Sequence, residues 1–476
     1  MSATELFDTG PMLSPRQLSL PQELINAVID HLEHDKDDES LAQVGLVSRQ
    51  WYPRTREHLF HSIHLQPDDT IQQFVEHTER LRQVIEANPS LARSVQWLWV
   101  RELSPSWFEN DFKDFGNLLT VLLARFTNVS QLYLAGTPDE DTLVHWGRIP
   151  EQLRNTFYTL ATRPGLRYLR IEHMDDIDLR HFIQDNYSGW LCIRECGRGS
   201  IPPLLPGSDS PTSFTSNEAG TPPSACQASS SECSTLQSLT IDDCGHVFRD
   251  FLRYQREQKP PSTWLRTRQL VVSVAPWDDA MDEALNIVLE NSATLVKKYV
   301  VNHHPDRILQ PEYHYLPIHP SPLAFHRFPN LVSLKINTLG DEFLHNPAIN
   351  PLPEIASTLD RISQLGDESK LEEFGVEFGF SGTPEDDSDD PDATGGHSRL
   401  VQFREIMEGL EGFAELDETL SRPAFCRLKF VAITFDVSGR KMPLGDPLLR
   451  LVWGGLVKRM QRTKKRGILK LQCYER

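Results

Sequence analysis

One spacing recurs along the chain: an apolar residue, two variable positions, a second apolar residue, one variable position and a third apolar residue. It occurs as Val95/Leu98/Val100, Val129/Leu132/Leu134, Leu166/Leu169/Ile171 and Leu236/Leu239/Ile241, and later as Leu331/Leu334/Ile336, Leu371/Phe374/Val376 and Leu428/Val431/Ile433. Looser versions surround Leu270 and Tyr299. Alternation at the last two positions suits a short strand that buries one face. Alone the spacing is weak: with 39% hydrophobic residues, three fixed apolar positions recur by chance in roughly one window of sixteen. Its surroundings strengthen it. Helical patterns span Glu151 to Thr162, Asp278 to Asn291, Pro353 to Gln364 and Gln402 to Leu420, ahead of many of the strands. A last one, from Asp446 to about Lys464, leads into Ile468-Leu469-Lys470-Leu471. The middle positions 98, 132, 169, 239, 270, 299 and 334 step by roughly 30–40 residues where no insertion intervenes, a period typical of repeat proteins.

The implied fold class is α/β, an irregular solenoid of strand, crossover, helix and strand in which each unit buries its apolar face on the next. The units resemble leucine-rich repeats but lack the regular Asn/Cys position and tight period of that family. A single irregular α/β domain without a true repeat is the competing reading. Two stretches break the pattern: residues 197–234 are dominated by Ser, Pro, Thr and Gly, and residues 381–398 carry the acidic run Glu385-Asp386-Asp387-Ser388-Asp389-Asp390. Such compositions bury too little apolar surface to offset ordering entropy, so both are expected to be disordered insertions. They divide the repeat region into 66–196, 235–380 and 399–476, preceded by a flexible tail at 1–17 and a compact helical block at 18–65.

The helical block opens with Ser19 and Gln22 at capping-box spacing and Pro21 in the first turn, where its missing N–H does no harm. Leu20, Leu24, Val28 and Leu32 follow at intervals of four, flanked by Ile25 and Ile29. A second helix carries Leu41, Val44, Val47 and Trp51 along one side, and Pro53 ends it and opens a third bearing Leu59 and Phe60. An amphipathic connecting helix follows, opened by Asp68, Asp69 and Thr70, with Ile71, Phe74, Val75, Leu81, Val84 and Ile85 at helical spacing, and stopped by Asn88-Pro89. A lone domain below about 60 residues is marginal, yet this block offers more large apolar positions than one small core can hide. The surplus must meet either the rest of the chain or a partner.

The order Leu20-Pro21, Glu23-Leu24-Ile25, Ile29, Leu32, spacer, Leu41, Val44, Leu46-Val47, Arg49 and Trp51 closely resembles the F-box. The continuation Pro53-Arg54, Arg56, His58-Leu59-Phe60 and Ser62-Ile63 looks like the version frequent in large fungal families. Two departures are mild: Ser48 stands where Cys is common, and Gly45 weakens the middle helix by about 1 kcal/mol relative to Ala. The resemblance implies a non-catalytic subunit of an SCF-type cullin-RING ubiquitin ligase. Its F-box would bind the Skp-type adaptor, and through it cullin and RING subunits, while the leucine-rich-repeat-like region would hold a protein target. Carried over by position, the adaptor contacts or their direct support are Leu20, Pro21, Leu24, Ile25, Ile29, Val47 and Trp51. Packing inside the three-helix core is the competing role for Ile29, Trp51 and Leu59. A repeat scaffold whose F-box acts outside any ligase is the alternative function.

Composition narrows the field. A net charge of −19 weighs against general nucleic-acid binding and against docking on anionic lipid, since both draw on Lys and Arg. The seven cysteines are scattered, with no CxxC pair, as expected of reduced thiols in the cytoplasm or nucleus rather than a disulfide scaffold. The N-terminus lacks a secretory pattern, and the longest apolar stretch, around Leu118 to Ala124, is too short to span a bilayer. The histidines His303, His304, His314, His319 and His326 lie in a stretch interrupted by prolines and tyrosines, without metal-ligand spacing. The acidic run lacks the Gly and terminal Glu of a calcium loop, which leaves Ser388 as a candidate phosphosite. Lys458 to Arg466 form a basic cluster that suits a helix end, with nuclear import as its functional reading. No local catalytic motif is present, so neither catalysis nor a metal or cofactor is expected.

Overall fold

The computed structural model describes residues 20–34, 38–47, 49–67, 70–108, 112, 114–137, 143–183, 187–197, 235–258, 265–273, 278–302, 322–339, 350–364, 369–379, 412–436 and 447–474. The expected tail at 1–17, nearly all of the 197–234 insertion and the whole of 381–398 lie outside these residues, as do Ser19, Ser48, Asp68, Asp69, Ser388 and four of the five clustered histidines.

Three short helices come first: α1 (Gln22–His34), α2 (Asp38–Val47) and α3 (Tyr52–Leu59). Pro53 lies in the first turn of α3. Two residues later β1 (Ser62–Leu65) begins a parallel sheet, so the last residues of the 18–65 block are the first strand of the next unit. α4 (Ile71–Ala87) and α5 (Pro89–Ser94) follow; Thr70 caps α4 by accepting from the Gln73 N–H at 3.3 Å. Next come β2 (Trp97–Leu103), α6 (Phe115–Arg125), β3 (Gln131–Gly136), the two-residue β4 (Val144–His145), α7 (Glu151–Ala161), β5 (Tyr168–Glu172), the two-residue β6 (Met174–Asp175) and β7 (Trp190–Arg194). The succession continues as β8 (Ser238–Asp242), α8 (Gly245–Gln258), β9 (Gln269–Ser273), α9 (Asp279–Ser292), β10 (Lys298–Asn302) and β11 (Ser333–Leu339). It ends with α10 (Leu352–Gln364), β12 (Glu373–Gly379), α11 (Phe413–Leu420), β13 (Phe430–Asp436), α12 (Pro447–Arg459), α13 (Gln461–Lys465) and β14 (Leu469–Tyr474).

Twelve of the strands form one sheet in chain order, β1-β2-β3-β5-β7-β8-β9-β10-β11-β12-β13-β14. Every pairing between these neighbours is parallel, and the two ends do not meet. β4 and β6 pair separately. The molecule is therefore mixed α/β around a large open parallel sheet.

The recurring spacing maps onto two rows of this sheet. In register, Ile63, Leu98, Leu132, Leu169, Leu191, Leu239, Leu270, Tyr299, Leu334, Phe374, Val431 and Leu469 form one row. Leu65, Val100, Leu134, Ile171, Ile193, Ile241, Val272, Val301, Ile336, Val376, Ile433 and Leu471 form the second. Nearly all are buried, in one continuous core shared with the helices. Tyr299 fits a leucine row because its hydroxyl donates to the Pro322 carbonyl at 2.7 Å, which satisfies the one polar atom the row would otherwise strand. The leading position of the spacing is buried too, as Val95, Val129, Leu166, Leu236, Leu331, Leu371 and Leu428.

Smaller features repeat with the strands. Asn128 and Asn330 each precede a leading apolar residue and reach back one unit, donating to Arg93 O at 2.7 Å and to Thr294 O at 2.6 Å. Two residues beyond the second inward position, Glu102, His173, Glu195 and Asp243 all adopt positive φ, between 44° and 58°. The same position after Leu134 is Gly136, where a Cβ would lie 2.3 Å from His173 O. The expected helix from Asp446 to Lys464 is instead divided at Met460. Buried Asp417 accepts from the Arg462 and Thr463 N–H groups, both at 2.8 Å, and so caps a new start.

Candidate functional site

The three N-terminal helices enclose a small core separate from that of the sheet. It comprises Ile25, Ile29 and Leu41, with Leu32, Val44, Trp51 and Leu59 packed around them. α1 is tied to α3 through Asp30, which accepts from Arg54 Nε at 2.8 Å and lies 2.8 Å from His58 Nε2. The Arg54 hydrogen bond holds the Asp30 carboxyl below its ordinary value of 3.8, a pull that burial opposes and His58 reinforces. Gly45 has a packing reason: a Cβ there would stand 3.2 Å from Thr55 Cγ2 on α3, and Thr55 is itself buried with its hydroxyl on Trp51 O at 3.1 Å. What Gly45 costs α2 in helix propensity, it returns as close approach of α2 to α3.

The seven sequence-derived positions divide by burial. Ile25 and Ile29 are interior, and Trp51 is half-buried against them, so these three hold the helices together. Leu20, Pro21, Leu24 and Val47 face solvent, Leu24 at 55% and Val47 at 71% of full exposure. Val28, Leu46 and Tyr52 join them, Leu46 at 86%. Leu24 and Val28 lie four residues apart on α1, with Leu20 just before its start, while Leu46 and Val47 project from the last turn of α2. The sequence places Val28 in the stripe without singling it out, and it sets Val47, an assigned adaptor contact, on the same side of the second helix as Leu41 and Val44, which the structure packs into or against the small core.

Six of the ten large apolar side chains exposed among the described residues thus belong to this short block. Burying one such side chain is worth about 1.5–3 kcal/mol relative to leaving it in water. Large exposed apolar groups are uncommon in such number on a monomer, which makes this block a candidate interaction surface.

The second candidate surface is the side of the sheet opposite the two inward rows. Its first strands are rich in aromatic and basic side chains. His64 stacks on Trp99 with ring centroids 4.9 Å apart, Trp99 meets Tyr133 edge-on at 5.2 Å, and Arg170 lies over the Tyr133 ring at 4.7 Å. Tyr133 donates to the buried Glu172 carboxylate, which also accepts from Arg170 Nε at 2.7 Å. Burial first, and this carboxylate second, push the Tyr133 hydroxyl up to about 12.

Other sequence candidates separate as follows. Cys196 and Cys244 are buried free thiols raised by burial, and Cys426 is an exposed free thiol. Within the C-terminal basic cluster, Arg466 donates to Leu420 O at 2.8 Å and Phe425 O at 3.0 Å, so it serves the packing of α11. Lys458, Arg462, Lys464 and Lys465 remain exposed. Among the described residues no group of three or more His, Cys, Asp or Glu side chains could hold a metal ion, and no helix is long and apolar enough to cross a membrane. No protein-family model matches the sequence, and no curated protein matches it either.

Proposed function

We propose that this chain is a non-catalytic target-recognition subunit of an SCF-type ubiquitin ligase. Its N-terminal helices act as an F-box that docks on the Skp-type adaptor, and its twelve-stranded sheet acts as an irregular leucine-rich-repeat-like domain that holds a protein target. One observation carries the reading. Where the sequence resembles the F-box, six large apolar residues are left outside the three-helix core, and three of them, Leu20, Leu24 and Val47, are among the positions the resemblance assigns to the adaptor, the others being Val28, Leu46 and Tyr52. In-register parallel strands following one another in chain order support the second half, because each unit buries its inward rows on its neighbours. Such a subunit accelerates ubiquitin transfer by raising the effective concentration of target near the charged enzyme.

The test is co-purification of the full chain with the Skp-type adaptor, comparing wild type with Leu24→Asp and Leu20→Asp. A charge on an exposed site leaves the fold intact and abolishes the complex. Complexes retained at wild-type affinity by both variants would remove the assigned surface. Wild-type binding to adaptor without incorporation into a cullin complex would favour the alternative, a repeat scaffold working outside a ligase.

A further inference from the structure

The open face of the sheet is not uniform. Trp97 on β2 and Trp190 on β7 stand in one register row, linked through Gln131 and Tyr168. Three strand spacings separate them, about 14 Å. They are 37% and 44% exposed, and outside the N-terminal helices the other large apolar side chains so exposed among the described residues are Val84 and Val121, both on helices. Beyond β7 the open rows turn to Ser238, Thr240, Ser333 and Gly375. Phe430 on β13 stands in the same row but is half-buried beneath Lys470, so among the described residues the exposed aromatic side chains of this face are on the strands nearest the N-terminal module.

Charge on this stretch is mostly spent internally. Arg170 pairs with Glu172, and Arg194 Nε lies 2.8 Å from an Asp242 oxygen. Arg101 differs. It is exposed, its guanidinium carbon lies 5.9 Å from the Tyr133 ring centroid, and no carboxylate among the described residues pairs with it. Placement against a ring orients a guanidinium while leaving its N–H edge free for bidentate contact with a carboxylate. Glu195 also lies 3.1 Å from Arg194 Nε, so Arg101, Arg170 and Arg194 are balanced by Glu172, Asp242 and Glu195, and this face is neutral within a chain of net charge −19, with Arg101 as its unmatched guanidinium. An acidic ligand meets less repulsion here than over the rest of the chain, and its carboxylate would supply the partner that Arg101 lacks.

We propose that the open face over β2–β7 docks an extended acidic segment of a protein partner, with apolar or aromatic side chains on Trp97 and Trp190 and an Asp or Glu carboxylate on Arg101. Exposed Trp and a pre-oriented Arg are the side chains that dominate binding energy in protein interfaces. The inference rests on the reading that the sheet holds the target, and it names the chemistry of what is held.

The experiment uses the purified full chain and fluorescein-labelled peptides of about a dozen residues built from Ser, Phe and Glu, with matched peptides carrying Gln or Lys in place of Glu. Fluorescence anisotropy is expected to show the Glu peptide binding about tenfold more tightly than the Gln peptide. Trp190→Ala and Arg101→Gln each weaken the Glu peptide by about tenfold, Arg101→Gln also erasing the discrimination between Glu and Gln. Arg101→Glu inverts the preference toward the Lys peptide, a gain that a misfolded variant could not produce. Equal binding of the three peptides, indifference to both substitutions, or no binding of the Glu peptide at millimolar concentration would overturn the proposal. So would a dimer of the wild type that Trp190→Ala dissociates, since a second copy would then occupy the face. Leu24→Asp is expected to bind the Glu peptide as wild type does while losing the adaptor, so failure at one surface is distinguishable from failure at the other.

Discussion

At the scale of single residues, the N-terminal block shows how one apolar stripe serves two masters. Leu24 and Ile25 are neighbours of similar hydrophobicity, yet one is exposed and the other is 1% exposed. Ile29→Ala should destabilise the block by about 2–5 kcal/mol, the usual cost of a buried aliphatic truncation, while Leu24→Asp should stay within about 0.5 kcal/mol of wild type. Denaturant unfolding followed by a probe in α1 measures both, and equal losses would mean that Leu24 is part of the core. Asp30 supplies a pH signature. Its carboxyl is held below 3.8 by Arg54, so its ionised form favours the folded chain. That stabilisation is present above the ordinary carboxylate range and lost as pH falls through the lowered value. Thermal melts of wild type and Asp30→Asn should therefore differ at neutral pH and converge on acidification; a gap that stays constant to pH values below 3.8 would remove the linkage. The periodicity of this block was legible from sequence, but the division between Leu24 outside and Ile29 inside was not. A stripe this wide fits two orientations against its neighbours, and only the position of α2 and α3 decides between them.

At the scale of elements, the strands announced themselves through three apolar positions, and the exceptions have physical causes. β7 escaped notice because Ser188 stands where the leading apolar residue would be; Tyr187, one position earlier, fills the space and donates to Trp190 O at 2.7 Å. β1 fits the spacing as Phe60/Ile63/Leu65, but its overlap with the F-box resemblance drew it into the helical block. α6 was visible merely as an apolar stretch, since its exposed side carries Val121 and Ala124 beside Asn117 and Arg125 and so offers little polar contrast to set the period. The backbone at or just past the end of β2, β5, β7 and β8 was the least legible feature. Glu102, His173, Glu195 and Asp243 hold left-handed backbone at a common position, which no composition rule would assign to them. Gly136 occupies that place on β3 for a different reason, close approach to His173 O. Gly136→Ala must push two backbones apart and should cost about 1–3 kcal/mol, as overpacking does. Chemical denaturation measures it, and an unchanged midpoint would show that β3 and the β5–β6 turn can separate freely.

At the scale of the whole molecule, the question is how the N-terminal surface is held relative to the sheet. α3 ends at Leu59 and β1 begins at Ser62, leaving two residues between them. Neither is slack: Phe60 packs against the core of the sheet, and the His61 carbonyl accepts from both the Gln96 and Trp97 N–H groups, at 2.9 and 3.0 Å. Arg56 adds a 3.0 Å hydrogen bond from α3 to Ser90 on α5. Each part has its own core, so each can stay folded if the junction is loosened, while the junction itself has no freedom to rotate. If the chain works by presenting a target, this rigidity fixes the direction in which the target is offered, and effective concentration depends on that direction as much as on tether length. A Gly-Ser insertion between Leu59 and Phe60 should therefore preserve adaptor binding and the stability of the sheet while broadening the distance distribution between fluorophores at exposed Glu23 and Gln152, and it should lower ubiquitin transfer to a bound target without changing target affinity. Single-molecule energy transfer reads the first effect independently of any ligase. A distribution as narrow in the insertion variant as in wild type would mean that contacts other than this junction orient the N-terminal helices, and transfer would then be expected to survive.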